Sequence, residues 1–255
     1  MTGSILNYNI LKQIQFQREN NMSRNWYYGT VAILGVGGIG SHVAMILSSV
    51  KELTNLYLID PDKVELSNLG RTDFNYYHID KLKVESIAEM IISKRLDINV
   101  IPIPKLFNRE LLDDKQYLNM DRIDLWIDCR DDYYADYDII RELSPYSQIL
   151  RSAYNGHSIT IDMNPEIHPV WGQGGYTEVM SNSSSARTAA LLVVYAAINL
   201  NASNIIKRPI TFNSLDILDM LALSQDIMCM DLEDRKKIRD IYYNKYHDEP
   251  PLLGE

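Results

Sequence analysis

"VAILGVGGIGSHVAMIL", residues 31–47, joins an apolar run of strand character to a glycine turn and then to a helix pattern. Gly35, Gly37, Gly38 and Gly40 satisfy GxGxxG. Glycines at those places allow a tight turn and close approach of a phosphate, while the first amides of the helix carry about half a positive charge. Ser41 adds a hydroxyl. Asp60 closes the next strand-like run, where a carboxylate binds ribose hydroxyls in dinucleotide sites. On these residues alone, nicotinamide, flavin and ATP are all compatible ligands.

Outward from that turn, strand and helix patterns alternate. "TVAIL", "NLYLID", "INVIPI", "DLWID" and "SQILRSA" read as strands, and helices are predicted at 38–51, 81–95, 110–119 and 133–143. Strict alternation implies parallel pairing with helices over both faces. After residue 154 the rhythm changes: "HSITIDM" and "EIHPVW" read as antiparallel strands. A Gly- and Ser-rich loop at 172–185 follows, then a serine-capped helix at 186–201, a strand in "PITFNSLDI" and a charged helix at 231–246. The fold class expected is therefore α/β: a Rossmann-like doubly wound, mostly parallel sheet, extended by antiparallel strands in the second half. Residues 1–28 read as an amphipathic helical arm, 29–246 as one domain and 247–255 as a flexible tail.

Composition removes other classes. At 255 residues and 46% hydrophobic, the chain can bury one sizeable core. A formal net charge of -9 opposes binding to nucleic acid or anionic lipid, since both rest on Lys and Arg meeting phosphate. Two cysteines far apart, Cys129 and Cys229, provide no paired zinc ligands and no disulfide framework. The longest apolar run, "AALLVVYAAI", is too short to span a bilayer, and no signal peptide is legible, so a cytoplasmic protein is expected.

The stretch after Asp60, "DPDKVELSNLGRTDFNYYHIDKLKVES", separates the possibilities. It carries Asp62, Asn68, Arg71 and Lys83 in a long connection before the next helix. Together with Gly35-Val36-Gly37-Gly38-Ile39-Gly40, Ser67-Asn68-Leu69-Gly70-Arg71 and Asp128-Cys129-Arg130-Asp131-Asp132, this order resembles the ThiF/MoeB/HesA family, the ubiquitin-activating-enzyme-like adenylyltransferases. The resemblance covers residues 29 to 135. It implies an ATP-dependent adenylyltransferase that converts the C-terminal carboxylate of a small ubiquitin-like or sulfur-carrier protein, or a peptide, ending in glycine, into an acyl adenylate with release of pyrophosphate.

That chemistry suits these residue types. A carboxylate must meet the α-phosphate, and two like charges about 4 Å apart repel by about 1 kcal/mol in water and about 4 kcal/mol at a protein-like dielectric. Fixed cations offset this, so Arg71 and Lys83 are the candidate catalytic cations and Asp131 the candidate Mg2+ ligand. Asp60 and Asp62 would flank the ribose, and Asn68 would donate to phosphate. Each has a plainer reading: Asn68 and Arg71 as loop residues, Lys81 in place of Lys83, and Asp131 as one of a solvated rim with Asp128, Asp132, Asp136 and Asp138. His42, His157 and His168 read as satisfied structural histidines.

Several features depart from the family. The zinc-binding cysteine pairs are missing, so no zinc is expected. The crossover stretch 170–185 lacks a thioester cysteine, and Cys129 reads as buried and inert. Asp136 stands where the family has an arginine. The N-terminal arginine that completes the partner's site is replaced by Lys12, with Arg18 nearby as the alternative; completion in trans implies a homodimer. Two other readings stay open: a ThiF-like scaffold without catalysis, favoured by those departures, and an NAD-dependent oxidoreductase, which has no need of the SNL-x-R element.

Overall fold

A computed structural model describes residues 26–113, 122–130, 137–163, 165–166, 183–199 and 209–213. Along β1 (Thr30–Leu34), Val31 and Ile33 point to one side of the sheet and Ala32 and Leu34 to the other, all four fully buried. An unbroken apolar run is what a strand covered on both faces requires.

Helix α1 (Gly38–Leu47) follows β1, and β2 (Asn55–Ile59), α2 (Lys83–Lys94), β3 (Asn99–Ile103), α3 (Arg109–Asp113), β4 (Leu125–Asp128), α4 (Tyr137–Leu143) and β5 (Gln148–Asn155) continue the alternation. β6 (Ser158–Asp162), α5 (Ser183–Asn199) and β7 (Ile210–Asn213) complete it. The seven strands lie in the order β3-β2-β1-β4-β5-β6-β7. β1 to β5 are parallel, and β6 turns back antiparallel on β5 with Arg151 opposite Asp162. Over one face, α1, α2 and α5 pack Val43, Ile87 and Val193 against Ile33, Leu58 and Ile127. Over the other, Leu111, Ile139 and Ile140 of α3 and α4 meet Leu34, Trp126 and Ile149. This is the Rossmann-like, doubly wound and mostly parallel sheet with an antiparallel extension that the sequence predicts.

Several element bounds differ from expectation for physical reasons. α1 stops at Leu47 rather than Lys51, because the carbonyls of Ser48, Val50, Lys51 and Leu53 turn to the buried guanidinium of Arg95. α2 opens at Lys83 rather than 81: Leu82 is extended, and the Lys83 amide donates to the Asp62 carbonyl. α5 opens at Ser183, so the three serines expected to precede and cap it occupy its first turn instead, with Ser185 fully buried. Of "EIHPVW", only Glu166 is described; it stands in a turn and is held by Arg141.

Residues up to Phe212 form one compact unit and residues 213–255 a second. Of the second, only Asn213 is described, so the predicted helix at 231–246, Cys229 and the tail lie outside the described residues. The same holds for Lys12 and Arg18 of the arm, for Asp131 to Asp136, for His168 and for residues 170–182 of the crossover stretch. Among the described residues, no helix is long and apolar enough to cross a membrane.

Candidate functional site

The order of the strands reverses beside β1, whose chain leads to β2 on one side while β4 lies on the other. In open α/β sheets, ligands bind outside the carboxyl ends of the strands at such a point. The glycine turn occupies it, and each glycine there has a separate cause. Gly35 holds φ +80°, and a Cβ on it would lie 3.1 Å from Arg130 Cγ. A Cβ on Gly40 would lie 1.9 Å from the carbonyl oxygen of Gly35, so this glycine lets the helix close on the turn. On Gly38 it would come within 2.9 Å of the Tyr154 hydroxyl and 3.6 Å of Arg71 Cδ. Only at Gly37, directly before the helix, is there open space within 4 Å among the described residues. Three of the glycines thus serve the protein's own packing, and Gly37 faces open space.

The turn is braced from below. The Val36 amide donates to Asp60 Oδ2 at 2.6 Å and the Asp62 amide to Asp60 Oδ1 at 2.8 Å. Burial pushes the Asp60 carboxyl above the ordinary carboxylate range; the Lys83 charge and the two amides pull the other way. Asp60 therefore shapes the loop with both oxygens. Ser41 is fully buried and its hydroxyl turns back to the Gly38 carbonyl at 3.5 Å, so it faces its own helix rather than the ligand side that the sequence suggests.

The connection after Asp60 brings the remaining residues in. Lys83 Nζ lies 2.8 Å from Asp62 Oδ2, with the lysine buried and the aspartate largely exposed. Asp62 is thus the lysine's counter-ion, and its carboxylate stays largely exposed. Lys81, the competing candidate, points to Glu89 at 3.7 Å on the exposed side. Asn68 is buried: its side-chain carbonyl accepts from the Glu65 amide at 3.0 Å, and its amide reaches Ser67 Oγ at 3.4 Å. It closes the short 3₁₀ turn Leu66–Asn68 from which Arg71 follows, and Arg71 Nη1 donates back to the Ser67 carbonyl at 3.3 Å. His42 on α1 grips this segment. Its Nε2 lies 3.0 Å from the Arg71 carbonyl and its Nδ1 3.1 Å from Asp73 Oδ2, while Arg187 on α5 takes Asp73 Oδ1 at 2.9 Å. The expectation of a satisfied structural histidine is met there.

At the end of β4, Asp128 is fully buried and accepts from Arg130 Nε at 2.9 Å, Arg130 Nη2 at 3.1 Å and the Tyr137 hydroxyl at 3.0 Å. Burial and the Asp128 charge hold the Tyr137 phenol protonated well above its ordinary range. Arg130 also stacks over Phe107, its Cζ 5.4 Å from the ring centre. Asp128 is therefore a structural anchor. Cys129 is partly buried against the core. Among the described residues, no three His, Cys, Asp or Glu gather to hold a metal ion.

The structure thus gathers Gly37, Gly38, Asp60, Asp62, Asn68, Arg71 and Lys83 around the head of α1. Sequence reasoning missed Tyr154, Arg130 and the Asp73–Arg187 pair. Tyr154 stands next to last in β5, far along the chain and in no motif; only the parallel pairing of β4 and β5 brings it to the turn.

Comparisons with known proteins agree with this geometry. Ubiquitin-like modifier-activating enzyme 5 of Caenorhabditis elegans is 32% identical over 115 residues, which cover 42% of this chain and 27% of that protein. The chain thus spans under a third of the relative's length. Among solved structures, PaaA superposes with a TM-score of 0.58 at 17% identity, covering 84% of this chain and 71% of PaaA. E. coli MccB, crystallised with ATP, gives 0.53 at 19%, covering 79% of this chain and 66% of MccB. These two likenesses concern the fold. The ThiF family model matches residues 12–165, which hold the glycine turn, the connection that bears Arg71 and Lys83, and the end of β4. On that match, which takes in more than half of the sequence, the chain belongs to the ThiF family.

Proposed function

We propose that this chain binds Mg-ATP over the glycine turn and adenylates the C-terminal carboxylate of a small ubiquitin-like or sulfur-carrier protein, or of a peptide, ending in glycine. The observation that carries the reading is the open space at Gly37, at the head of α1, with Arg71 laid over the neighbouring Gly38. A helix head of free amides with an arginine beside it suits a phosphate. The family match and a fold relative crystallised with ATP support the same ligand.

In the reaction, an oxygen of the substrate carboxylate attacks the α-phosphorus, the bond to the bridging α–β oxygen breaks, and pyrophosphate leaves with that electron pair. The first-turn amides and Arg71 receive the charge that collects on the phosphate oxygens. Lys83 is held by Asp62 until a nucleotide arrives, and the triphosphate then competes for the ammonium. Asn68 fixes the turn that presents Arg71 and directs its amide to phosphate. Asp131 would hold a Mg2+ ion brought with the triphosphate, and the ion would supply positive charge there. No cysteine of this chain takes part, and the acyl adenylate passes to a nucleophile on a partner. A homodimer, with Lys12 or Arg18 of one subunit completing the site of the other, belongs to the same reading, as does a cytoplasmic setting without nucleic acid or membrane.

Calorimetric titration with Mg-ATP and with NAD tests this directly. Mg-ATP is expected to bind, and Arg71→Ala and Asp131→Ala each to weaken it by about tenfold or more without lowering the melting temperature. Unchanged affinity in both variants removes the site assignment. Absence of ATP binding leaves a scaffold without catalysis, and binding of NAD instead leaves an oxidoreductase. Exchange of pyrophosphate into ATP in the presence of a candidate partner, retained by the Cys129→Ala, Cys229→Ala double variant, identifies the chemistry.

A further inference from the structure

Arg71 sits in the long connection between β2 and α2, and that connection is an arch. Two short bridges, Lys63 with Leu82 and Val64 with Ile79, close its base. Phe74 is buried in the core and gives the arch an apolar foot. Its polar tie is His42, buried one turn into α1, with Nε2 3.0 Å from the Arg71 carbonyl oxygen and Nδ1 3.1 Å from Asp73 Oδ2. The amide of Arg71 donates to the Asn68 carbonyl at 3.1 Å. Both backbone groups of the arginine are therefore engaged, one by the turn before it and one by the helix.

The contact is directional. A carbonyl can only accept, so Nε2 carries a proton and donates to it. The carboxylate at Nδ1, itself held by Arg187, fixes which way the ring faces. Apolar packing would close the same gap between helix and arch without a donor aimed at one carbonyl. The residue held in this way is also the one whose side chain reaches the helix head: Arg71 Cδ stands 3.6 Å from where a Cβ on Gly38 would lie. His42 follows Gly38 by four residues, which is about 6 Å of helix rise. One rigid helix thus carries the first-turn amides and sets where the arginine stands beside them. Precision of that kind matters, because a misplacement of about 1 Å is enough to cost about a hundredfold in rate.

Resting on the ATP reading above, we infer that His42, oriented by Asp73, is a positioning residue for nucleotide binding: its Nε2–H holds the Arg71 carbonyl and so fixes the guanidinium beside the amides at the head of α1.

The test is calorimetric titration of the full chain with Mg-ATP for the wild type, His42→Gln and His42→Asn, each also in an Arg71→Ala background, with melting followed in parallel. A glutamine amide reaches about as far as Nε2 and can donate to the Arg71 carbonyl, whereas an asparagine amide reaches about as far as Nδ1 and keeps only the contact with Asp73. Each variant loses one bond and keeps one, so their melting temperatures are expected to fall alike. Affinity is expected to separate them. His42→Asn weakens Mg-ATP by about threefold or more, and His42→Gln recovers most of that loss. In the Arg71→Ala background the two are expected to bind alike, since the histidine acts through that side chain. Equal affinity of the two variants on an intact Arg71, or the same difference with and without the Arg71 side chain, overturns the inference and leaves the ATP reading standing. Asp73→Ala, at a half-buried position, decides the matter where the histidine variants do not fold. A loss of affinity that disappears in the Arg71→Ala background bears the inference out, and no loss, or one that persists, overturns it. Failure of the wild type to bind Mg-ATP overturns both.

Discussion

Gly37 and Gly40 stand three positions apart in one motif, yet they answer to different demands. At Gly40 an added methyl meets the Gly35 carbonyl oxygen, a backbone atom that cannot swing away. Gly40→Ala is expected to cost about 2 kcal/mol or more of stability, measured by urea unfolding, through overpacking. At Gly37 the methyl enters open space. Gly37→Ala is expected to leave stability within about 1 kcal/mol, the scale of a changed helix cap, and still weaken Mg-ATP. A large loss of stability at Gly37, or none at Gly40, contradicts this division. Asp60 offers a prediction in pH. Its folded value lies above its unfolded one, so its contribution to stability is fully present below the ordinary carboxylate value of about 4 and is lost as pH rises through the raised value. Asp60→Asn removes that dependence. The stability of the variant minus that of the wild type is therefore expected to increase from about pH 4 upward; a difference that falls over the same range contradicts it. The identity of these residues was legible in the sequence, but the division of labour among them was not. GxGGxG gives the same letter to glycines that face open space, a backbone oxygen and a phenol. Likewise Asp60 and Asp62 read as a pair, whereas one braces the turn and the other holds Lys83.

The helices owe their ends to side chains from other elements. Arg95 follows α2 and is buried, and it gathers four carbonyls from the segment between α1 and β2 as well as the Asp97 carboxylate. Arg95→Leu fills much of the space and leaves those acceptors without their donor. It is expected to cost about 3 kcal/mol or more, since each stranded buried acceptor costs about 1–3 kcal/mol. Arg95→Lys should recover only part, because an ammonium lacks the planar fork that spans several carbonyls. A melting curve for Arg95→Leu that overlies the wild type would remove this account of where α1 stops. Sequence periodicity saw that both helices existed and misplaced their ends by a few residues. That is the expected failure, because the apolar pattern along 38–51 is continuous and the group that ends the helix lies in a distant part of the chain. The serines before Ala186 were read as caps for the related reason that serine suits both a cap and a first turn.

Across the molecule, the parallel direction of β1 to β5 followed from alternation of patterns, and the antiparallel return of β6 from the change of rhythm after residue 154, while the order of the strands is visible only in the structure. The neighbourhoods made by β5 and α5 were beyond reach, since Tyr154 and Arg187 arrive at the site by topology and carry no spacing signal of their own. The proposed dimer has a test at this scale. The double variant Lys12→Ala, Arg18→Ala and the variant Arg71→Ala are each expected to lose pyrophosphate exchange, and a mixture of the two to recover about a quarter of the wild-type rate. In a random mixture half the dimers are mixed, and each mixed dimer has one intact site. No recovery on mixing argues for a site completed within one subunit. The shared carboxylate of Asp73 carries one more consequence. It serves two masters: through His42 it steadies the carbonyl of Arg71, and through Arg187 it holds the first turns of α5. One carboxylate thus joins the segment after β2 to α5. Loss of the Asp73 carboxylate is therefore expected to free the Arg71 segment and the start of α5 together.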